Sequence, residues 1–233
     1  MPAEIFTKTS KDVADRVRAI FGDTSGAQID DETLLRWIND GQQEIVNNNA
    51  ILKDTKITSV IAGVEEYSFP TDRVQYIEAI YVNGRPVKNM SPQEYREYIL
   101  TQDPSKSAVA DVPEVWYERA GVITFYPTPN KDYNDGLKLE YVKMPVAVSS
   151  IAADRILSIP DRYLNELVNY CTVQALELDE NYAAAEYKSK QFRDGLNRLS
   201  QKENVSQIDL YVQIMPDPDD YRVWPITTTL SNA

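Results

Sequence analysis

Histidine is missing from all 233 residues, cysteine occurs once, at Cys171, and glycine occurs only eight times. Without histidine the chain lacks the side chain that titrates nearest neutrality and the commonest transition-metal ligand. That absence excludes serine–histidine, cysteine–histidine and histidine–zinc chemistry. A single cysteine forbids an intrachain disulfide and any multi-cysteine metal site, and it suits a reducing compartment. None of the glycines falls in a Walker or dinucleotide pattern, so nucleotide use is not expected. Long apolar runs are missing as well. The amino-terminal stretch MPAEIFTKTSKD has neither a basic region nor an apolar signal core, so neither a spanning helix nor export is expected, and the chain is placed in a cytoplasm.

Positive charge is scarce. Lysine and arginine number 24 against 36 acidic residues, a formal net charge of −12, which opposes close contact with nucleic-acid phosphates over most of the surface. What is present is enough apolar material for a core: 42% of the residues are hydrophobic, and a chain of this length buries roughly 70% of the surface its unfolded form exposes.

The apolar spacing divides the chain into parts. Val13, Val17, Ile20 and Phe21 recur at helical intervals behind the candidate caps Thr9 and Ser10, with Asp12 near the amino end and Gly22 as the stop. A second helix begins after Asp30 or Asp31 and places Leu34, Ile38, Gly41 and Ile45 on one face, flanked by Leu35, Trp37 and Gln42. Gly41 weakens that helix by about 1 kcal/mol relative to alanine and therefore signals a close helix contact. From about Thr55 the period changes to strands, with Asn83-Gly84 and Ala120-Gly121 as hairpin turns and Asn134-Asp135-Gly136 marking the start of a further strand. Ser91-Pro92-Gln93-Glu94 reads as a capping box for a short helix that closes before Asp103-Pro104. After Pro160 the helical period returns through Leu164, Leu167, Val168, Cys171, Ala175 and Leu178. It continues through Tyr182, Ala185, Ser189, Phe192, Leu196 and Leu199, as a hairpin or one bent helix around Asp179-Glu180-Asn181.

The fold expected is α+β: a helical bundle formed by residues 1–54 and 149–203, an inserted β-rich domain over 55–148, and an extended carboxy-terminal arm over 204–233. In the arm, helical spacing stops near Lys202. Ile208, Leu210, Val212 and Ile214 then alternate with Tyr211 on the other side, and Pro216, Pro218 and Pro225 follow. A free arm of this pattern exposes apolar groups and backbone edges. Ile208, Leu210, Val212, Ile214 and Trp224 are therefore the residues expected to contact a partner, by strand addition or by a tryptophan in a pocket; the plainer alternative is an arm that closes an edge of its own subunit.

Sites with catalytic potential are few. Glu65-Glu66 with Asp72, or Asp217 with Asp219-Asp220, offer carboxylates for acid–base work or a cation. Adjacent strand residues face opposite ways, however, and DPDDY lacks the glycine and distal glutamate of a calcium loop. Cys171 sits among apolar residues and reads as an inert core thiol. The fifteen tyrosines, including Tyr67, Tyr76, Tyr81, Tyr117, Tyr126 and Tyr141 in the strand region, suit sheet faces and subunit contacts better than base stacking, which also needs a positive groove.

The order of local patterns carries a resemblance. LLRWINDGQQEIV, EYSFPTD, IEAIYVNGRPV, PEVWYERAGVITFYPTP, LKLEYVKMP and SIPDRYLNELVNYCTVQALEL span about residues 30–200 and together resemble the head-to-tail adaptor (tail connector, or head-completion) proteins of podovirus-type bacteriophages. The resemblance implies a helical bundle carrying a β-domain, a dodecameric ring in the virion neck between the portal and a tail or nozzle protein, and a channel through which DNA passes without specific binding. It also implies assembly in the host cytoplasm and a carboxy-terminal segment that reaches into the portal. No catalytic residue, metal or cofactor and no membrane contact are expected. The competing readings are a carboxylate-dependent glycoside hydrolase acting on cell-wall or surface polysaccharide, and an accessory subunit of a non-viral complex. The composition predicts that carefully purified protein carries neither stoichiometric zinc nor nucleotide; elemental analysis and absorbance after denaturation check this.

Overall fold

A computed structural model describes residues 5–23, 25–68, 73–101, 109–110 and 112–214. The described elements run α1 (Ser10–Phe21), α2 (Asp31–Asn49), β1 (Lys53–Val60), β2 (Glu66–Ser68), β3 (Val74–Val82), β4 (Arg85–Asn89), α3 (Pro92–Thr101), β5 (Val109–Ala110), β6 (Val115–Arg119), β7 (Val122–Tyr126), β8 (Thr128–Pro129), β9 (Tyr133–Lys143), a 3₁₀ turn (Asp161–Tyr163), α4 (Leu164–Leu178) and α5 (Tyr182–Ile214). The chain is thus mixed α+β.

Helix ends follow their local chemistry. Thr9 and Asp12 form a reciprocal capping box at the start of α1, and Gly22, at φ 86°, closes it. Asp30 caps α2 by accepting the Thr33 N–H at 2.6 Å. At α3 the Ser91 N–H donates to the Glu94 carboxylate at 2.7 Å, and the Glu94 N–H donates to the Ser91 hydroxyl at 3.2 Å. Between α1 and α2, the buried Asp23 carboxylate accepts the N–H groups of Ala27, Gln28 and Ile29 at 2.8–3.0 Å. These bonds, that from Ile29 first, hold its pKa below the usual carboxylate range.

Helix α4 packs against α1, α2 and α5, and the four contribute to one apolar core that includes Val17, Ile38, Leu167, Cys171 and Phe192. The α2–α4 contact is close because Gly41 has no side chain: a Cβ there would lie 2.6 Å from Leu167 Cδ1 and 2.8 Å from Tyr170 Cδ1. A three-residue turn with Glu180 at φ 57° folds α5 back on α4, so the pair is a hairpin. Its far end departs from the apolar spacing, since Leu178 and Tyr182 are exposed, as is Ile20 of α1. Each lies at or near a helix terminus, beyond the reach of the facing helices.

Strands β1-β9-β3-β4-β6-β7-β2 form a seven-stranded sheet, with β5 and β8 in a separate parallel pair. Asn83-Gly84 turns β3 into β4, and Ala120-Gly121 turns β6 into β7, each pair with positive φ as such tight turns require. β4 and β6 are parallel, and α3 lies in the crossover between them. A second core, containing Val60, Ile80, Val82, Trp116, Phe125 and Leu139, lies within this part. Polar ties join α2 to the segment leaving the sheet: Asn39 exchanges hydrogen bonds with the backbone of Val148 at 2.9 and 3.0 Å, and the buried Gln42 accepts from the Ser158 N–H at 2.8 Å.

Two features differ from the sequence reading. Asn134-Asp135-Gly136 lies inside β9 as an irregularity. Opposite it, Thr58 pairs with Leu137 but Val60 with Tyr133, so β9 carries extra residues there, with Asp135 at φ 53°. Turn-type residues serve a bulge as well as a turn. The second difference is at the carboxy-terminal side, where residues 204–214 continue α5 as helix instead of forming an extended strand. Ile208 and Val212, and likewise Leu210 and Ile214, are four apart and so fit helical spacing as well as alternation, and extending an existing helix needs no new nucleus, so α5 runs on to Ile214, two residues before Pro216.

The packing around α4 predicts that Leu167→Ala, at a fully buried position, costs about 2–5 kcal/mol in denaturant unfolding. Gly41→Ala should also destabilise, because overpacking costs about 1–3 kcal/mol and outweighs a helix-propensity gain of about 1 kcal/mol. A more stable Gly41→Ala protein would contradict the close α2–α4 contact.

Candidate assembly surfaces

The carboxylates singled out for chemistry do not converge among the described residues. Glu65 and Glu66 are both exposed at the start of β2. The Glu65 backbone carbonyl accepts the Phe125 N–H at 2.8 Å, and its carboxylate accepts the Thr128 hydroxyl at 3.3 Å. Asp72, Asp217, Asp219, Asp220 and Trp224 lie outside the described residues. Among the described residues no group of three or more His, Cys, Asp or Glu side chains is placed to hold a metal ion, and no helix is long and apolar enough to cross a membrane. Cys171 is fully buried, and burial pushes its thiol pKa well above the ordinary range, so it stays protonated.

The tyrosines of the strand region mostly pack. Tyr95 of α3 lies 4.2 Å from Tyr117 and 6.1 Å from Tyr126, and Tyr98 lies 6.1 Å from Tyr126, measured between ring centroids. This group fastens α3 to β6 and β7. Burial, with Tyr117 beside it, pushes the Tyr95 hydroxyl up to about 12, and the Tyr98 hydroxyl donates to Glu114 at 2.9 Å. Tyr141 is in the core, Tyr67 meets Phe125 edge-on at 5.5 Å, Tyr81 lies under Lys138, and Tyr76 is partly exposed.

Of the partner-binding candidates, Ile208, Leu210, Val212 and Ile214 fall in the last turns of α5. A helix places Ile208 with Val212 and Leu210 with Ile214, each pair one turn apart, rather than all four on one side.

Three surface features escaped the sequence reading. Glu166 of α4 is only 8% exposed and its Oε2 atom has no hydrogen-bond partner. Gly195 of α5 makes the room, since a Cβ there would lie 2.6 Å from Glu166 Oε1. The glutamate sits at a polar groove with Asn169, Gln191, Asp194 and Arg198. Near the start of α4, Phe6, Leu52, Met144, Val146 and Leu157 line an apolar groove of about 450 Å³ bordered by Lys53, Asp54 and Lys143. At its end, Leu178 and Tyr182 stand among the exposed acids Glu177, Asp179 and Glu180. Periodicity alone assigns helical apolar residues to a core; only the termination of the facing helices leaves these out of it.

A family model described as SU10 adaptor protein matches residues 8–216, from just before α1 to just beyond α5. No curated protein matches the chain.

Burial raises the Glu166 carboxyl above its ordinary value of 4.5, against the opposing pull of Arg198. The folded protein therefore holds this proton more tightly than the unfolded chain does, so the associated stability is complete below pH about 4.5 and is lost as pH rises through the raised value. Glu166→Gln is predicted to remove that decline and to gain on wild type in urea midpoints as pH rises above the ordinary carboxyl value of 4.5; parallel pH profiles would contradict it.

Proposed function

We infer that this chain, which belongs to the SU10 adaptor protein family, is a structural adaptor of a bacteriophage virion, forming a ring that joins the portal to the tail and leaves a channel for DNA. The family match carries this reading because it runs through both the helical and the strand-rich parts rather than through one segment. Work of this kind is binding and geometry. Many copies around an axis make each modest contact part of a lasting joint, through avidity.

Composition supports the same reading. A net charge of −12 discourages adhesion of DNA passing a bore, over the roughly 8 Å reach of charge at physiological salt. The hydrolase reading finds little support, since Glu65 and Glu66 are exposed neighbours on a strand shoulder. We assign the helical parts, 1–54 and 149–203, and the strand-rich insert, 55–148, as two units of the adaptor, with portal and a tail or nozzle protein as partners and twelve copies in the ring. The virion neck is its final place, reached from the host cytoplasm.

The segment from 204 onward is assigned to assembly, with Ile208, Leu210, Val212, Ile214 and Trp224 as its contacts. Truncation after Glu203 tests this. The buried residues of α5, Ala185, Phe192 and Leu196, are retained, so the shortened protein should fold with near-native helical signal yet lose most of its ring formation or portal binding. Equal binding at the same stoichiometry would sink the assignment.

A further inference from the structure

The ends of α4 carry two different exposed apolar patches. At the first, Phe6, Met144 and Val146 are 40%, 41% and 63% exposed within one groove. At the second, Leu178 and Tyr182 are 61% and 66% exposed on either side of the α4–α5 turn. The fifteen residues of α4 separate them by about 22 Å at 1.5 Å per residue, so each subunit presents them at opposite ends of the same rigid helix.

Their borders differ in charge. The turn carries Glu177, Asp179 and Glu180, all exposed and with no lysine or arginine between Leu176 and Tyr187. The groove is bordered by Lys53, Asp54 and Lys143, with Glu78 against Lys53 at its edge, so two lysines meet two carboxylates there. Lys53 pairs with Glu78 at 2.7 Å, and Lys143 with Asp54. Both are partly exposed ion pairs, which contribute little and exchange readily with another carboxylate. A two-fold contact would set three acids of one turn against three of the next. A head-to-tail contact instead sets the acids of the turn against a border in which two lysines balance two carboxylates, and it covers both apolar patches together.

We propose that the α4–α5 turn of one copy, with Leu178 and Tyr182, seats in the Phe6, Met144 and Val146 groove of the next copy, giving a heterologous contact that repeats around an axis. Such a contact makes a ring when its rotation closes. The inference rests on the ring reading above and specifies which surfaces meet.

The test uses full-length Val146→Cys and Leu178→Cys proteins, both changed at exposed positions, while native Cys171 stays buried. They are mixed under ring-forming conditions, with the portal if the portal is required, and treated with a short bis-maleimide. The expected result is a Val146→Cys to Leu178→Cys product several-fold above either homodimer, and a ladder from the double variant. Homodimers at or above the statistical proportion would overturn the contact. In parallel, Val146→Asp and Leu178→Asp should each lose rings. Rings as complete as wild type from both would overturn the contact and leave the ring reading standing, whereas wild-type protein that stays single-copy even on the portal would overturn both.

Discussion

The burial of α4 on three sides is the constraint on which the rest depends. Leu167, Cys171 and Ala175 are fully enclosed by facing helices, and removing water from such side chains contributes about 25 cal/mol per Å² of apolar surface. Two glycines on the facing helices let the backbones come close enough. Gly41 admits Leu167 and Tyr170, and Gly195 admits the Glu166 side chain. Each costs about 1 kcal/mol of helix propensity, which only a close contact recovers. Glu166 shows the other side of that closeness, a carboxyl that burial keeps from ionising freely.

The same rigid centre organises the surfaces. The amino-terminal segment before α1 is held to the 3₁₀ turn at the start of α4 by Asp161, whose carboxylate accepts the Thr7 and Lys8 N–H groups at 2.7 and 3.0 Å, and this brings Phe6 to the groove. At the other end the tight α4–α5 turn exposes Leu178. The sheet meets this frame through Val142 of β9, which belongs to the helical core, and the connection that follows β9 is tied to α2 by short polar contacts at Asn39 and Gln42. A protein whose task is to hold others together needs this combination: a frame that does not yield, and apolar surface left over at its ends.

Much of this was legible in the residues because short-range chemistry decided it. The Ser91 capping box, the Gly22 stop, the Asn83-Gly84 hairpin and the meaning of Gly41 each depend on a few neighbouring side chains and came out as read, and of the two candidate caps of α1 it is Thr9 that caps. Where one pattern served two structures the reading went the other way. Asn134-Asp135-Gly136 suits a bulge as well as a turn, and Ile208, Leu210, Val212 and Ile214 suit a helix, as two pairs four apart, as well as a strand. The candidate surfaces were the least legible. Leu178 and Tyr182 fit a helical stripe, and their exposure follows from where other helices end, a property of the whole fold. The buried Glu166 was hidden for the same reason: its room is made by a glycine twenty-nine positions away.

The central claim is that this chain works as a closed ring on a portal, and the number of copies per assembly addresses it most directly. Native mass measurement of the purified protein with its cognate portal should give a single complex holding twelve copies of the chain, with no stable species of intermediate size at saturation. A complex with one or two copies per portal assembly, or a graded series that never closes, would contradict the account.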